Sequence, residues 1–178
     1  MITTVKITSL DEALQKARSY DQNYTAWITT VDPEDEKDCH TIKRLLGRRQ
    51  VLHFHRFFRD YEDGEEDVEF HGPKTEDIIA IVDFLKTLKN QEKAHHLGIN
   101  CLAGVARSTA IGMIAWMVHG YQPEIALDKV LFVRRCAWPN NRILRMYDEI
   151  AGTNSFDVVM KWRGEMCKSG VIVNTAWT

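Results

Sequence analysis

Cys101 and Arg107 stand six positions apart in the stretch Asn100-Cys101-Leu102-Ala103-Gly104-Val105-Ala106-Arg107-Ser108-Thr109. The residue types at this interval suit one chemistry, attack by a thiolate on a phosphate-sized anion. A loop between a strand and a helix gathers backbone N–H groups at the positive end of the helix, which favours an anion. The same field stabilises a thiolate on a cysteine at the mouth of the loop. Arginine at the far end offers a planar fork that matches two phosphoryl oxygens. Leu102, Ala103, Gly104, Val105 and Ala106 are then the substrate-binding backbone, and Gly104 permits a turn that other residues resist.

The interval alone is a weak signal, because Cys136 and Arg142 repeat it. That second copy has Trp138 and Pro139 inside it and no glycine, and Pro139 removes a donor that a cradle of amides needs. The competing reading of the first copy is a buried strand-end cysteine beside an arginine that opens a surface helix. Agreement among loop composition, flanking elements and the Arg107-Ser108 pair favours the chemical reading.

Elements that must position such a loop are legible. Residues 1–8 alternate towards a strand, and Ser9 with Glu12 reads as a capping box opening a helix to about residue 19. Strands are expected over 24–31, 51–57 and 95–100. Helices are expected over 35–46, 75–89, 108–119, 123–133 and 141–150, the 123–133 helix starting on Pro123. Strands separated by helices imply a single α/β domain with a central, mostly parallel sheet flanked by helices and a site at the strand carboxyl ends. The Cys101 loop falls at such an end.

The chain has 178 residues, enough for one domain with a substantial core. Its net charge of −2 gives no global draw to nucleic acid or an anionic membrane. The 4 Cys form no Cys-x-x-Cys pair, which argues against a disulfide framework or a zinc ribbon. A reducing cytoplasm is the expected compartment. No run has the roughly 18 apolar residues of a membrane span, and no signal peptide is evident.

The loop resembles that of the cysteine-dependent protein tyrosine phosphatase superfamily, Cys-x5-Arg followed by Ser or Thr. Gly104-Val105-Ala106-Arg107-Ser108 is closest to the dual-specificity-like and bacterial branch. Ala137-Trp138-Pro139-Asn140, with Ile143-Leu144 and Asp148 beyond, resembles the Ala-x-Pro-Asn segment of bacterial members. Phe57-Phe58-Arg59-Asp60 resembles their Phe-x-Asp stretch after a central strand. The resemblance covers residues 1–151 as a catalytic domain, leaving 152–178 as an appendage, packed on it or partly flexible, with Trp162 and Trp177. One departure is plain: the family usually has His before the cysteine, and this chain has Asn100, whose amide carries no charge.

What the resemblance implies is a phosphatase that hydrolyses phosphate monoesters through a phosphocysteine. Cys101 is the nucleophile, Arg107 and the loop amides hold the phosphoryl oxygens, and Ser108 assists thiolate release. Asp60 is the candidate general acid, with Asp63 and Asp67 as rivals. Seven of the ten residues from Asp60 to Glu69 are acidic, which reads blandly as a solvated loop. Crowded carboxylates also raise one another's pKa, which helps keep one protonated. Residues 102–106 contain no Lys or Arg, so phosphotyrosine in a protein, or an aryl phosphate, is the expected substrate rather than an inositide or an RNA 5′-phosphate. Phosphoserine and phosphothreonine stay open. The alternatives are a phospho-binding module with weak turnover, or a lipid or RNA phosphatase. No cofactor, metal, nucleic-acid partner or membrane partner is expected.

Other clusters read as structural. His53 and His55 share a strand face without a carboxylate or thiolate partner, which argues against a metal site. His95 and His96 alternate faces, and either could contact the loop in place of the missing histidine. Lys43, Arg44, Arg48 and Arg49 read as a solvated face, and Arg134 and Arg135 as support for a helix C-terminus.

Overall fold

In the computed structural model, described for residues 1–19, 23–61 and 71–169, four strands form one parallel sheet. In chain order these are β1 (Ile2–Thr8), α1 (Leu10–Arg18), β2 (Ala26–Val31), α2 (Glu36–Gly47) and β3 (Leu52–Phe57). Then follow α3 (Thr75–Lys89), β4 (His95–Asn100), α4 (Arg107–Val118), α5 (Pro123–Val133), α6 (Asn141–Ala151) and α7 (Ser155–Lys168). The spatial order is β1-β4-β2-β3, which puts the strand feeding the Cys101 loop between β1 and β2. Asp63, Asp67 and Trp177 lie outside the described residues.

Strand alternation sorts the core into two layers. Ala26 and Ile28 of β2, with Leu97 and Ile99 of β4, join a large cluster against α3, α4, α5 and α6. Trp27 and Val31 point the other way, into a smaller cluster with Leu10 and Ala13 of α1 and Cys39, Ile42 and Leu46 of α2. The Trp27 ring lies over Gly98, where an added Cβ would come within 2.1 Å of it. Glycine there lets the indole reach across β4 towards Asn100.

Helix α4 carries the end of the loop, and eleven of its twelve residues are buried. A helix apolar on all sides belongs in a core, and so Arg107 and Ser108 start from a rigid support. The capping box of α1 is formed as expected, with Ser9 Oγ accepting from Glu12 N at 3.2 Å and Glu12 Oε2 accepting from Ser9 N at 2.8 Å. Residues 155–168 form a helix whose Val159 is fully buried in the large cluster. Asp148 of α6 caps it, accepting from Ser155 N at 2.9 Å and Phe156 N at 2.8 Å.

Candidate active site

The loop from Cys101 to Ala106 is held by its carbonyl groups. Leu10 N–H donates to Leu102 O at 2.9 Å, Trp138 N–H to Val105 O at 2.9 Å, and Asn140 N–H to Ala106 O at 3.2 Å. The Arg134 guanidinium takes the two between, with Nη2 donating to Ala103 O and Nε to Gly104 O, each at 3.1 Å. In a planar trans peptide the N–H points opposite to the preceding carbonyl. With five successive carbonyls bound by surrounding elements, the N–H groups of Ala103, Gly104, Val105, Ala106 and Arg107 are turned the other way. Gly104 N–H shows where that leads, donating to Cys101 Sγ at 3.1 Å. The Ser108 hydroxyl lies 3.2 Å from the same sulfur.

Gly104 is needed for this shape. Its φ is +72°, and an added Cβ would lie 2.6 Å from the Thr8 carbonyl carbon. The loop passes this close to the end of β1 because the parallel strands β1 and β4 finish level, Thr8 opposite Asn100.

The cysteine is deeper than the sequence suggests. Cys101 is 1% exposed, on the floor of the cup rather than at its mouth, because Gly104 and Ser108 fold in over the sulfur. Arg107 is buried too, against the alternative of a surface helix start. Its Nη1 donates to Asp32 Oδ1 at 2.6 Å and to Phe58 O at 2.5 Å, while its buried Nε has no partner among the described residues. The guanidinium is therefore anchored at its Nη1 corner, and Nε lies on the edge that a fork uses on two phosphoryl oxygens. Asp32 escaped the sequence reading. Its position just past β2 was the available signal, because the carboxyl ends of neighbouring parallel strands converge.

Asp60 follows β3 and is one side chain removed from the loop. Asn140 Nδ2 donates to Asp60 Oδ1 at 2.9 Å and to Tyr61 O at 3.1 Å. Asn140 Oδ1 in turn accepts from Ile143 N at 2.9 Å and so caps α6. One asparagine thus ties Asp60, the loop and a helix start together.

Asn100 is fully buried, and its Oδ1 accepts from Trp27 Nε1 at 2.8 Å and from Thr29 Oγ1 at 2.9 Å. Neither neighbouring histidine takes the family histidine's place: His95 Nδ1 bonds Thr25 Oγ1 at 3.1 Å and His96 Nδ1 bonds Thr4 Oγ1 at 2.9 Å, away from the loop. Arg134 does not serve the α5 C-terminus as expected, since its donors go to the loop and to Glu12. His53 bonds Thr29 Oγ1 through Nε2 at 3.0 Å, and the described residues hold no group of three metal-ligating side chains. Cys136 is exposed and free, and Arg142 Nε donates to Pro73 O, so the second Cys–Arg pair builds no cup.

The chain matches no protein-family model and no curated protein. Solved structures do resemble it. Tk-PTP in the active form is 18% identical with a TM-score of 0.54, over 82% of this chain and 90% of that one. Human DUSP28 is 16% identical with a TM-score of 0.54, over 82% and 92%. PTPMT1 is 17% identical with a TM-score of 0.52, over 91% and 95%, and has also been solved in complex with PI(5)P. The chain therefore has the dual-specificity-like phosphatase fold, as its resemblance to the cysteine-dependent tyrosine phosphatase superfamily implies.

Proposed function

We propose that the protein is a cysteine-dependent phosphatase acting on phosphate monoesters, with protein phosphotyrosine as the favoured class. The observation that carries this is the run of five bound carbonyls that turns the N–H groups of residues 103–107 to the opposite side, Gly104 N–H onto the Cys101 sulfur, beside an arginine whose buried Nε has no partner among the described residues. A tetrahedral dianion satisfies all of these donors at once.

In the first step the Cys101 thiolate attacks phosphorus as the phosphorus–oxygen bond breaks in line with it, leaving a phosphocysteine. The loop amides and Arg107 hold the equatorial oxygens and stabilise their developing charge. Asp60 gives its proton to the departing oxygen. In the second step Asp60 takes a proton from water, water attacks phosphorus, and the sulfur–phosphorus bond breaks. The Ser108 hydroxyl, 3.2 Å from the sulfur, stabilises the thiolate that leaves. Residues 1–151 make up this catalytic unit, with α7 packed on it.

Substrate preference follows from charge. Residues 102–106 bring no cation to the cup, and Arg107 is already matched by Asp32. PTPMT1 has been solved with PI(5)P, but a polyphosphorylated ring would find no further cations in this loop. A reducing compartment suits a chain whose described cysteines are all free, and no helix among the described residues is long and apolar enough to cross a membrane.

The test is p-nitrophenyl phosphate hydrolysis by Cys101→Ser, with vanadate inhibition of the unaltered protein. Turnover is expected to vanish in the variant while its circular dichroism and melting stay the same. Undiminished turnover would remove the nucleophile assignment. Stoichiometric vanadate binding without phosphate release by the unaltered protein would instead make it a phospho-binding module.

A further inference from the structure

Among the five inward-facing amides, those of Gly104 and Val105 flank the loop's only glycine. Glycine adopts backbone angles of either sign at little cost, so the two peptides on either side of it are the ones most able to turn over. A peptide turned over would put a carbonyl oxygen where the phosphoryl group belongs and repel it. Arg134 binds the carbonyls of both these peptides with one planar fork, at 3.1 Å each. The third corner of the guanidinium, Nη1, lies 3.2 Å and 3.0 Å from the two Glu12 oxygens. Glu12 is in turn fixed by Ser9 N–H at the start of α1, next to Leu10, whose N–H holds the Leu102 carbonyl. The arginine is thereby held on three sides, and a side chain with a single ammonium head lacks the planar fork that makes its two loop contacts.

We infer that Arg134, oriented by Glu12, is a positioning residue that locks the loop in its anion-binding form. It touches no reacting atom. The inference rests on the phosphate-binding reading of the loop, and it assigns to the end of α5 a role that helix-dipole reasoning does not supply.

The test measures tungstate affinity together with kcat and KM for p-nitrophenyl phosphate in Arg134→Met, Arg134→Lys and Glu12→Gln. Arg135→Met, an exposed neighbour with the same change of charge, is the control and keeps wild-type values. Glutamine at position 12 still accepts from Ser9 N–H, so α1 stays capped. Losing hydrogen bonds from a charged donor is expected to weaken tungstate binding by about 30-fold in Arg134→Met and about 10-fold in Arg134→Lys, with a smaller loss in Glu12→Gln. Because loop amides hold the transition state more tightly than the substrate, kcat falls by more than KM rises. A merely structural arginine would lower melting temperature and leave affinity and kcat of the folded fraction unchanged. Should Arg134→Met fail to fold, Arg134→Lys and Glu12→Gln decide alone.

Wild-type affinity and kcat in folded Arg134 variants overturn the inference while the phosphatase reading stands. Tungstate binding by the wild type without turnover removes the enzyme reading, and the affinity ratios then judge the inference. A wild type that binds no tungstate overturns both.

Discussion

Replacing Gly104 with alanine perturbs the cup at its tightest point, and the structure gives the size of the effect. At φ +72° a Cβ costs about 1–2 kcal/mol. The same Cβ would lie 2.6 Å from the Thr8 carbonyl carbon, 2.7 Å from Ser9 N and 2.7 Å from Thr8 O, all backbone atoms. No flexible side chain end can yield there, so strands or loop must part by most of an ångström, a strain typical of overpacked cores at about 1–3 kcal/mol. Together these predict a loss of about 2–5 kcal/mol, or roughly 4–20 °C in melting temperature for a chain of this size. Relief comes most easily if the loop swings away from β1, which draws Gly104 N–H off the Cys101 sulfur. Losing one such donor lowers kcat by about 10²–10³-fold. The assay is thermal unfolding by circular dichroism alongside p-nitrophenyl phosphate turnover at saturating substrate. A variant melting within a degree of wild type and turning over within twofold would show that the loop does not need this conformation.

Three further perturbations test other parts of the site. Asp60→Asn is expected to lower turnover of a phosphate ester with a poor leaving group by about 10²–10⁴-fold and to matter far less for p-nitrophenyl phosphate; a larger loss on substituting Asp63 would transfer the acid's role. Asn100→Ala strips the buried Trp27 Nε1 and Thr29 Oγ1 of their acceptor and should cost about 2–4 kcal/mol in urea unfolding, so a change below about 0.5 kcal/mol would deny the network any weight. Burial, helped by the charges of His55 and Lys43, lowers the His53 pKa from 6.5 to about 3. The unfolded chain therefore takes up this proton at a pH where the folded chain refuses it. Stability contributed by neutral His53 is full above pH 6.5 and is lost as pH falls towards 3, by at most about 5 kcal/mol. His53→Gln should flatten the stability profile between pH 6.5 and 4, and an unchanged slope would reject the assignment.

Local rules made much of this legible. Ser9 and Glu12 announced the start of α1, Pro123 the start of α5, and the β-forming residues of 24–31 a strand. The helix at Ser155–Lys168 was harder to see, because only Val159 and Ser155 are buried along it and its remaining apolar residues follow no narrow stripe. The loop itself was readable from Cys101, Gly104 and Arg107, whose chemistry is local. What could not be read was everything that grips the loop from a distance. Glu12 announces only a capping box and Arg134 only a helix end, while Asp32 shows no more than a position just past β2. Their second roles arise from strand order, which places the ends of β1, β4 and β2 side by side, and no spacing along the chain encodes that order.

Arginines at and near the loop pair with carboxylates among the described residues. Arg107 meets Asp32, Arg134 meets Glu12, and Arg59 meets Glu34. On the proposed function, an anion is drawn by the aligned dipoles of the loop amides and the start of α4, together with Arg107, whose Nε has no partner among the described residues. Dipole attraction falls off faster with distance than attraction to a free charge, and it depends on orientation. A site built this way rewards the placement of one tetrahedral group within it more than the total negative charge of the molecule that carries it. Asn100 fits the same design. A neutral amide bonded to Trp27 and Thr29 fixes the end of β4 without adding a titrating cation next to Cys101, so the proposed anion site relies on the loop amides and the Arg107 guanidinium.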